Sequence, residues 1–157
     1  MSEKYPVLDS NEKKDSSKLQ QNLKKNLKEL NEVFGDGGTS KEYPKAINRL
    51  VEKITKANLW LYILRLLQEK PHYGYEIKNK IKDKFGFSPA IVSGYVILYK
   101  MKKDNLVTIK WEQNEGKAQN SGKPNRKYYY ITELGKQTME LAKTYLSALM
   151  TEIFDQT

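Results

Sequence analysis

The stretch from Phe87 to Val107 constrains the fold more than any other, because it reads as one helix running directly into a strand. Ser88 suits the N-cap and Pro89 the first helical position. Ile91, Tyr95, Leu98 and Met101 fall on one face, with Gly94 where that face would come close to a neighbour. The opposite face carries Pro89, Val92, Ser93, Val96, Lys100 and Lys103, small near its start and cationic near its end. A helix that slides its first turns into a DNA groove and holds phosphates with its later ones needs that arrangement. An ordinary surface helix with solvated lysines fits the same pattern.

The distribution of charge bears on this choice. The formal net charge is +9, but residues 1–40 hold seven Lys against seven acidic groups. Residues 70–130 hold 13 Lys and Arg against five Asp and Glu, and residues 131–157 hold two Lys against four acidic groups. A basic middle between a neutral tail and a mildly acidic end suggests a surface that binds a polyanion. The chain has no cysteine, which excludes disulfides and thiolate chemistry. No apolar run approaches membrane-spanning length and the N-terminus is polar, so a soluble, cytoplasmic protein is expected.

Residues 1–16 show no apolar period and read as disordered. From Lys18 to Phe34, Leu19, Leu23, Leu27, Leu30, Val33 and Phe34 recur in steps of three and four. They predict an amphipathic helix, suited to dimerisation or to packing on its own domain, or else one that is only partly formed. Gly35 to Ser40 breaks the chain as a loop. A second helical pattern spans about Pro44 to Gln68, apolar nearly all round in its second half, as in a central helix. Thr55 to Asn58 is a break point, which leaves one helix or two open. The next helix opens at Pro71 to Tyr75, turns Ile77, Ile81 and Phe85 inward, and ends at Gly86 as C-cap, with Phe87 folding back. His72, the only histidine, reads as a residue at the helix start and not as a catalyst.

After the Ser88 helix the pattern changes to strict alternation. Val107, Ile109 and Trp111 take one face, and Thr108, Lys110 and Glu112 the other. Arg126 to Ile131 returns as a strand in which Tyr129 and Ile131 share one side, Tyr128 and Tyr130 the other. Between them Gln113 to Asn125 is a polar, glycine-containing loop, either a functional basic tip or a solvated turn. Thr132 caps a final helix with Leu134, Leu141, Ala142, Tyr145, Leu146, Leu149 and Ile153 at helical spacing. That stripe suits a helix–helix seam with a second copy, or a fold back onto its own core.

Three helices followed by a hairpin with a basic tip make a winged helix-turn-helix, with the Ser88 helix as recognition helix and Gln113 to Asn125 as wing. The fold class is mainly α with a small β-hairpin (α+β). It divides into a polar tail and amphipathic helix (1–43), a winged helix-turn-helix (44–131) and a C-terminal dimerisation helix (132–157).

From Asn58 to Leu146 the chain also resembles the PadR-type transcriptional regulators. Tyr73-Gly-Tyr-Glu-Ile77 is similar to the opening of that family's second helix. Tyr95, Leu98, Met101 and the Asp-Asn-Leu-Val ending at Val107 resemble the close of its recognition helix. Lys127-Tyr-Tyr-Tyr-Ile-Thr-Glu-Leu-Gly135 is like its return strand and helix cap. Val96 stands where the family usually has proline, and Asn105 where it usually has glycine. Asn tolerates the left-handed conformation that a turn there requires. The resemblance implies a homodimer, most often a repressor, with the last helix on the partner's N-terminal helices. It also implies that some relatives answer to small hydrophobic ligands in a pore at the dimer interface. The final helix has no tryptophan to build a flat aromatic sandwich there.

The expected partner is double-stranded DNA with a pseudo-palindromic site, read by two recognition helices about 34 Å apart. The expected DNA-binding residues are Tyr73, Lys78, Ser88, Pro89, Val92, Ser93, Tyr95, Val96, Lys100, Lys103, Lys117, Lys123, Arg126 and Lys127. Val92 and Val96 would meet thymine methyls, or pack on the wing or another helix. Ser93 would bond a base edge or a phosphate, and the cations would neutralise phosphates. Tyr73 and Tyr95 are candidate phosphate donors or core rings. The expected dimer residues are Leu23, Leu27, Leu30, Trp60, Ile63, Ala142, Tyr145, Leu146, Leu149 and Ile153. A ligand cavity, if formed, would involve Trp60, Tyr62, Tyr145 and Leu149. No nucleophile–base pair, metal-ligand spacing or phosphate-cradling glycine loop supports an enzyme, a metal site or a cofactor. A winged-helix protein-interaction module without specific DNA binding is the competing function.

Overall fold

The computed structural model describes residues 25–34, 40–112 and 126–155. The chain forms two compact units, Met1–Ala57 with Asp83–Phe87, and Asn58–Lys82 with Ser88–Thr157. The first unit contains α1 (Leu27–Phe34), α2 (Lys45–Glu52) and a π-helical turn, Lys53–Ala57. Asn26 Oδ1 accepts the amide of Glu29 at 2.9 Å and starts α1. Phe34 is buried against Tyr43, ring centroids 4.7 Å apart. Buried Asn31 donates its amide to the Phe85 carbonyl at 2.7 Å. Gly86 has φ +79, and a Cβ there would overlap the Lys28 carbonyl, so this C-cap requires glycine. The expected break after Thr55 is present: Thr55 turns its hydroxyl back onto the Val51 carbonyl at 2.7 Å, and the helix widens there.

The second unit is built on α3 (Leu59–Glu69). Leu59, Tyr62, Ile63, Leu64, Leu66 and Leu67 are all buried, so α3 is the central helix its all-round apolar pattern predicts. It packs against β3 (Lys127–Ile131) and two further helices, α5 (Ile91–Lys103) and α6 (Glu133–Phe154). Between α3 and α5 run β1 (His72–Tyr73), a 3-10 turn (Gly74–Glu76) and α4 (Ile77–Phe85). Ile77 and Ile81 are buried as expected.

The sheet is larger than a hairpin. β2 (Val107–Trp111) and β3 pair antiparallel, Val107 opposite Ile131 and Trp111 opposite Lys127. β1 adds a third strand on the other side of β3, with His72 opposite Tyr129 and Tyr73 opposite Tyr128. His72, Val107 and Tyr129 lie on the buried face, and Tyr73, Lys110, Tyr128 and Tyr130 on the other.

The start of α5 differs from the sequence expectation. Ala90, not Ser88, occupies the N-cap, with ψ 140, and its carbonyl accepts the Gly94 amide at 3.0 Å. Pro89 is buried and precedes the helix instead of opening it. At the other end Leu98 and Met101 are buried, and Asn105 takes φ 61, the left-handed turn anticipated for it. Thr132 caps α6 by accepting the Gly135 amide at 3.0 Å.

Candidate nucleic-acid interface

On α5, the side away from Leu98 and Met101 is open to solvent. Val92 is 75% exposed, Val96 47% and Tyr99 69%, with Ser93, Lys100 and Lys103 also exposed. Exposed valines at the start of a helix are costly in water unless a partner covers them. The lysines at the end add cationic charge to the same open side. Tyr99 is absent from the sequence expectation, although it lies seven residues after Val92 and shares that face. The expected inward set is also incomplete. Ile91 is 60% exposed, Tyr95 51% exposed, and Gly94 has open space where a Cβ would sit.

Those residues border an open cleft of about 300 Å³, shared by Leu59 and Ile63 of α3, Tyr75, Lys78, Pro89 and Ala90. Pro89 is thereby removed from the outer face: it lines the cleft floor and is buried. The Tyr95 ring turns toward Gly74 and Tyr129. Burial, and secondarily the neighbouring Tyr95, raises the Tyr129 phenol above its ordinary value.

The open face of the sheet carries a second cluster. Tyr73 and Tyr75 stack with centroids 5.6 Å apart and planes 7° from parallel. Tyr128 packs on Tyr73 at 3.8 Å. The Arg126 guanidinium lies 4.9 Å from the Tyr73 ring centroid and 6.0 Å from that of Tyr75. Lys110, which is not among the expected DNA-binding residues, places its ammonium 4.8 Å from the Tyr130 ring. Lys127 points to the other face, 5.7 Å from both Trp111 and Tyr129. Strand alternation thus separates two cations that are adjacent in sequence.

At the base of this cluster, buried His72 places Nδ1 3.0 Å from Glu76 Oε1, which also accepts the Tyr73 amide at 3.0 Å. These bonds fix the start of the Tyr-Gly-Tyr-Glu-Ile segment, so His72 has a structural role.

The other expected site residues divide by position. Ser88 and Lys78 are half-buried, and Lys117, Lys123 and Leu23 lie outside the described residues. On α6, Tyr145, Leu146, Leu149 and Ile153 are exposed, together with Leu141, Met150 and Phe154. Leu27 is exposed, whereas Leu30, Trp60 and Ala142 are half-buried. Ile63 is a correction: it is fully buried in its own protomer and has no surface to offer a second copy. Tyr62 is likewise buried, so Leu61 takes its place beside α6. There an apolar groove of about 550 Å³ is lined by Leu61, Met139, Ala142, Leu146 and Met150. Among the described residues, no cluster of His, Cys, Asp or Glu could hold a metal ion, and no helix is long and apolar enough to cross a membrane.

The chain and its fold have counterparts among known proteins. Residues 63–141 match the transcriptional regulator PadR-like family. The chain belongs to that family. This PadR-like protein is 36% identical over 101 residues to an uncharacterized protein of Lysinibacillus sphaericus, covering 63% of this chain and 81% of the relative. A PadR-like transcriptional regulator of Bacillus cereus matches its structure at TM-score 0.50 and 27% identity, covering 67% of this chain and 99% of that one. A PadR family regulator from Eggerthella lenta matches at TM-score 0.56 and 20% identity, covering 69% and 89%. The latter likeness concerns the fold alone. PadR-like proteins are transcriptional regulators and not enzymes. Their winged-helix α+β architecture is that of this chain.

Proposed function

We propose that the protein is a cytoplasmic homodimer that binds a pseudo-palindromic double-stranded operator and represses transcription. The observation that carries this reading is the solvent-open face of α5, apolar at Val92 and Val96, aromatic at Tyr99 and cationic at Lys100 and Lys103. That order matches a helix whose first turns read base edges and whose last turns hold the backbone. The exposed apolar stripe of α6 supports a dimer, because a stripe of this length is unfavourable in water without a cover. The groove beside Leu61 and Leu146 supports release by a small hydrophobic ligand once a second copy closes it.

Fluorescence anisotropy with a duplex from upstream of the protein's own reading frame, against a scrambled duplex, tests the reading across a salt titration. The expected result is preference for the upstream duplex with a steep salt slope. Absence of binding to either duplex at low salt would remove the DNA reading and favour a protein-interaction module.

A further inference from the structure

We propose that Tyr73 and Tyr75 form a preset platform that holds the Arg126 guanidinium ready for a DNA phosphate, which makes Tyr75 a positioning residue for DNA binding. The proposal rests on the DNA-binding reading above.

The hydrogen bonds of Tyr73 carry the inference. A phosphate can only accept, so a tyrosine must offer it a proton. The Tyr73 hydroxyl already donates to Glu112 Oε2 at 3.2 Å and accepts from the Tyr128 hydroxyl. Its amide is held by Glu76. Tyr73 is therefore fixed at both ends, and its proton is committed inside the protein. What it presents outward is a ring face.

That face, extended by the near-parallel ring of Tyr75, is where Arg126 lies. Among the described residues no carboxylate pairs with Arg126. A guanidinium stacked on rings keeps its in-plane N–H groups free, and these match the oxygens of a phosphate. The stack also restricts a long side chain before DNA arrives, so less rotamer freedom is lost on binding. Tyr75 is 59% exposed and borders the cleft with Ile91 and Tyr95, which sets the platform beside the first turn of the recognition helix.

Phosphate contacts carry no sequence information, so a labelled duplex of random sequence at low salt is a sufficient probe. Its binding should be compared for the unaltered protein, Tyr75→Ala, Tyr75→Phe, Arg126→Ala and the Tyr75→Ala/Arg126→Ala double variant. Tyr75→Ala should weaken binding about two- to fivefold, the scale of an exposed cation–π contact, and Tyr75→Phe should not. The salt slope should stay unchanged in Tyr75→Ala and fall by about 0.9 in Arg126→Ala. The double variant should bind no more weakly than Arg126→Ala alone. Losses that add in the double variant, or a Tyr75→Phe that behaves like Tyr75→Ala, would overturn the platform. Unaltered binding by Tyr75→Ala would overturn it while leaving the DNA reading intact. No salt-dependent binding by the unaltered protein would remove both.

Discussion

The hydroxyl of Thr132 donates to the backbone carbonyl of Asn105 at 2.6 Å, across the junction where α5 turns into β2 and β3 turns into α6. The Thr132 amide bonds the Leu106 carbonyl at 3.1 Å, and its hydroxyl accepts the Gly135 amide at 3.0 Å. One residue thus caps α6 and ties it to the left-handed turn at Asn105, φ 61. Gly135 is required at the same place, since a Cβ would overlap the Leu106 carbonyl and meet Ile131 Cγ1 at 2.8 Å.

Thr132→Ala should therefore cost about 1–2 kcal/mol, through loss of the cap and of a bond to the turn. Thr132→Ser should retain most of that stability. Asn105→Gly should be tolerated, whereas Asn105→Val should cost about 1–2 kcal/mol, because a β-branched residue resists positive φ. Urea unfolding midpoints of the variants check these values.

Lys100 and Lys103 are exposed on the last turn of α5. Replacing both with alanine should weaken binding to every duplex alike and lower the salt slope by about 1.8, two phosphates at about 0.9 each. Val92→Ser should instead reduce the preference between duplexes and leave the slope unchanged, because it removes no charge. Salt titrations on two duplexes separate the two effects.

Tyr145 and Leu149 lie one turn apart on α6, 69% and 40% exposed. Tyr145→Asp with Leu149→Asp should yield a monomer by sedimentation. It should lose the operator preference that two linked half-sites provide while keeping its helical circular dichroism.

Burial raises the Tyr129 phenol above the usual 10.0, with Tyr95 adding to the effect, and burial raises Tyr62 in the same direction. The unfolded chain then loses these protons at lower pH than the folded one. Their contribution to stability is fully present below about pH 10 and is lost as pH rises through the raised folded values. Urea midpoints should be flat below that pH and fall above it. Tyr129→Phe should fall less steeply.

Local pattern determined much of this protein. Alternation from Val107 to Trp111 defined a strand with one apolar face, buried at Val107 and open at Trp111, and the all-round apolar stretch after Asn58 defined a central helix. Thr132 ahead of the last apolar stripe marked the α6 cap; the left-handed turn at Asn105 came through the family resemblance, where glycine usually stands. Each of these depends on backbone geometry within a few residues, which side-chain periodicity reports directly.

Contacts between distant segments were decided only by the tertiary structure. His72 and Tyr73 are too few to read as a strand, and they became one because β3 offered them an edge. Pro89 and Ile63 moved from expected surfaces to buried positions, and Ile91 and Tyr95 became exposed, because helical spacing fixes a face but not what covers it. Arg126 and Lys127 are both expected DNA-binding cations, yet strand pleating sends them to opposite faces and only Arg126 meets Tyr73 and Tyr75. Sequence periodicity sets the direction of a side chain relative to its own backbone. The neighbour it meets depends on how separate elements pack, and no local pattern encodes that.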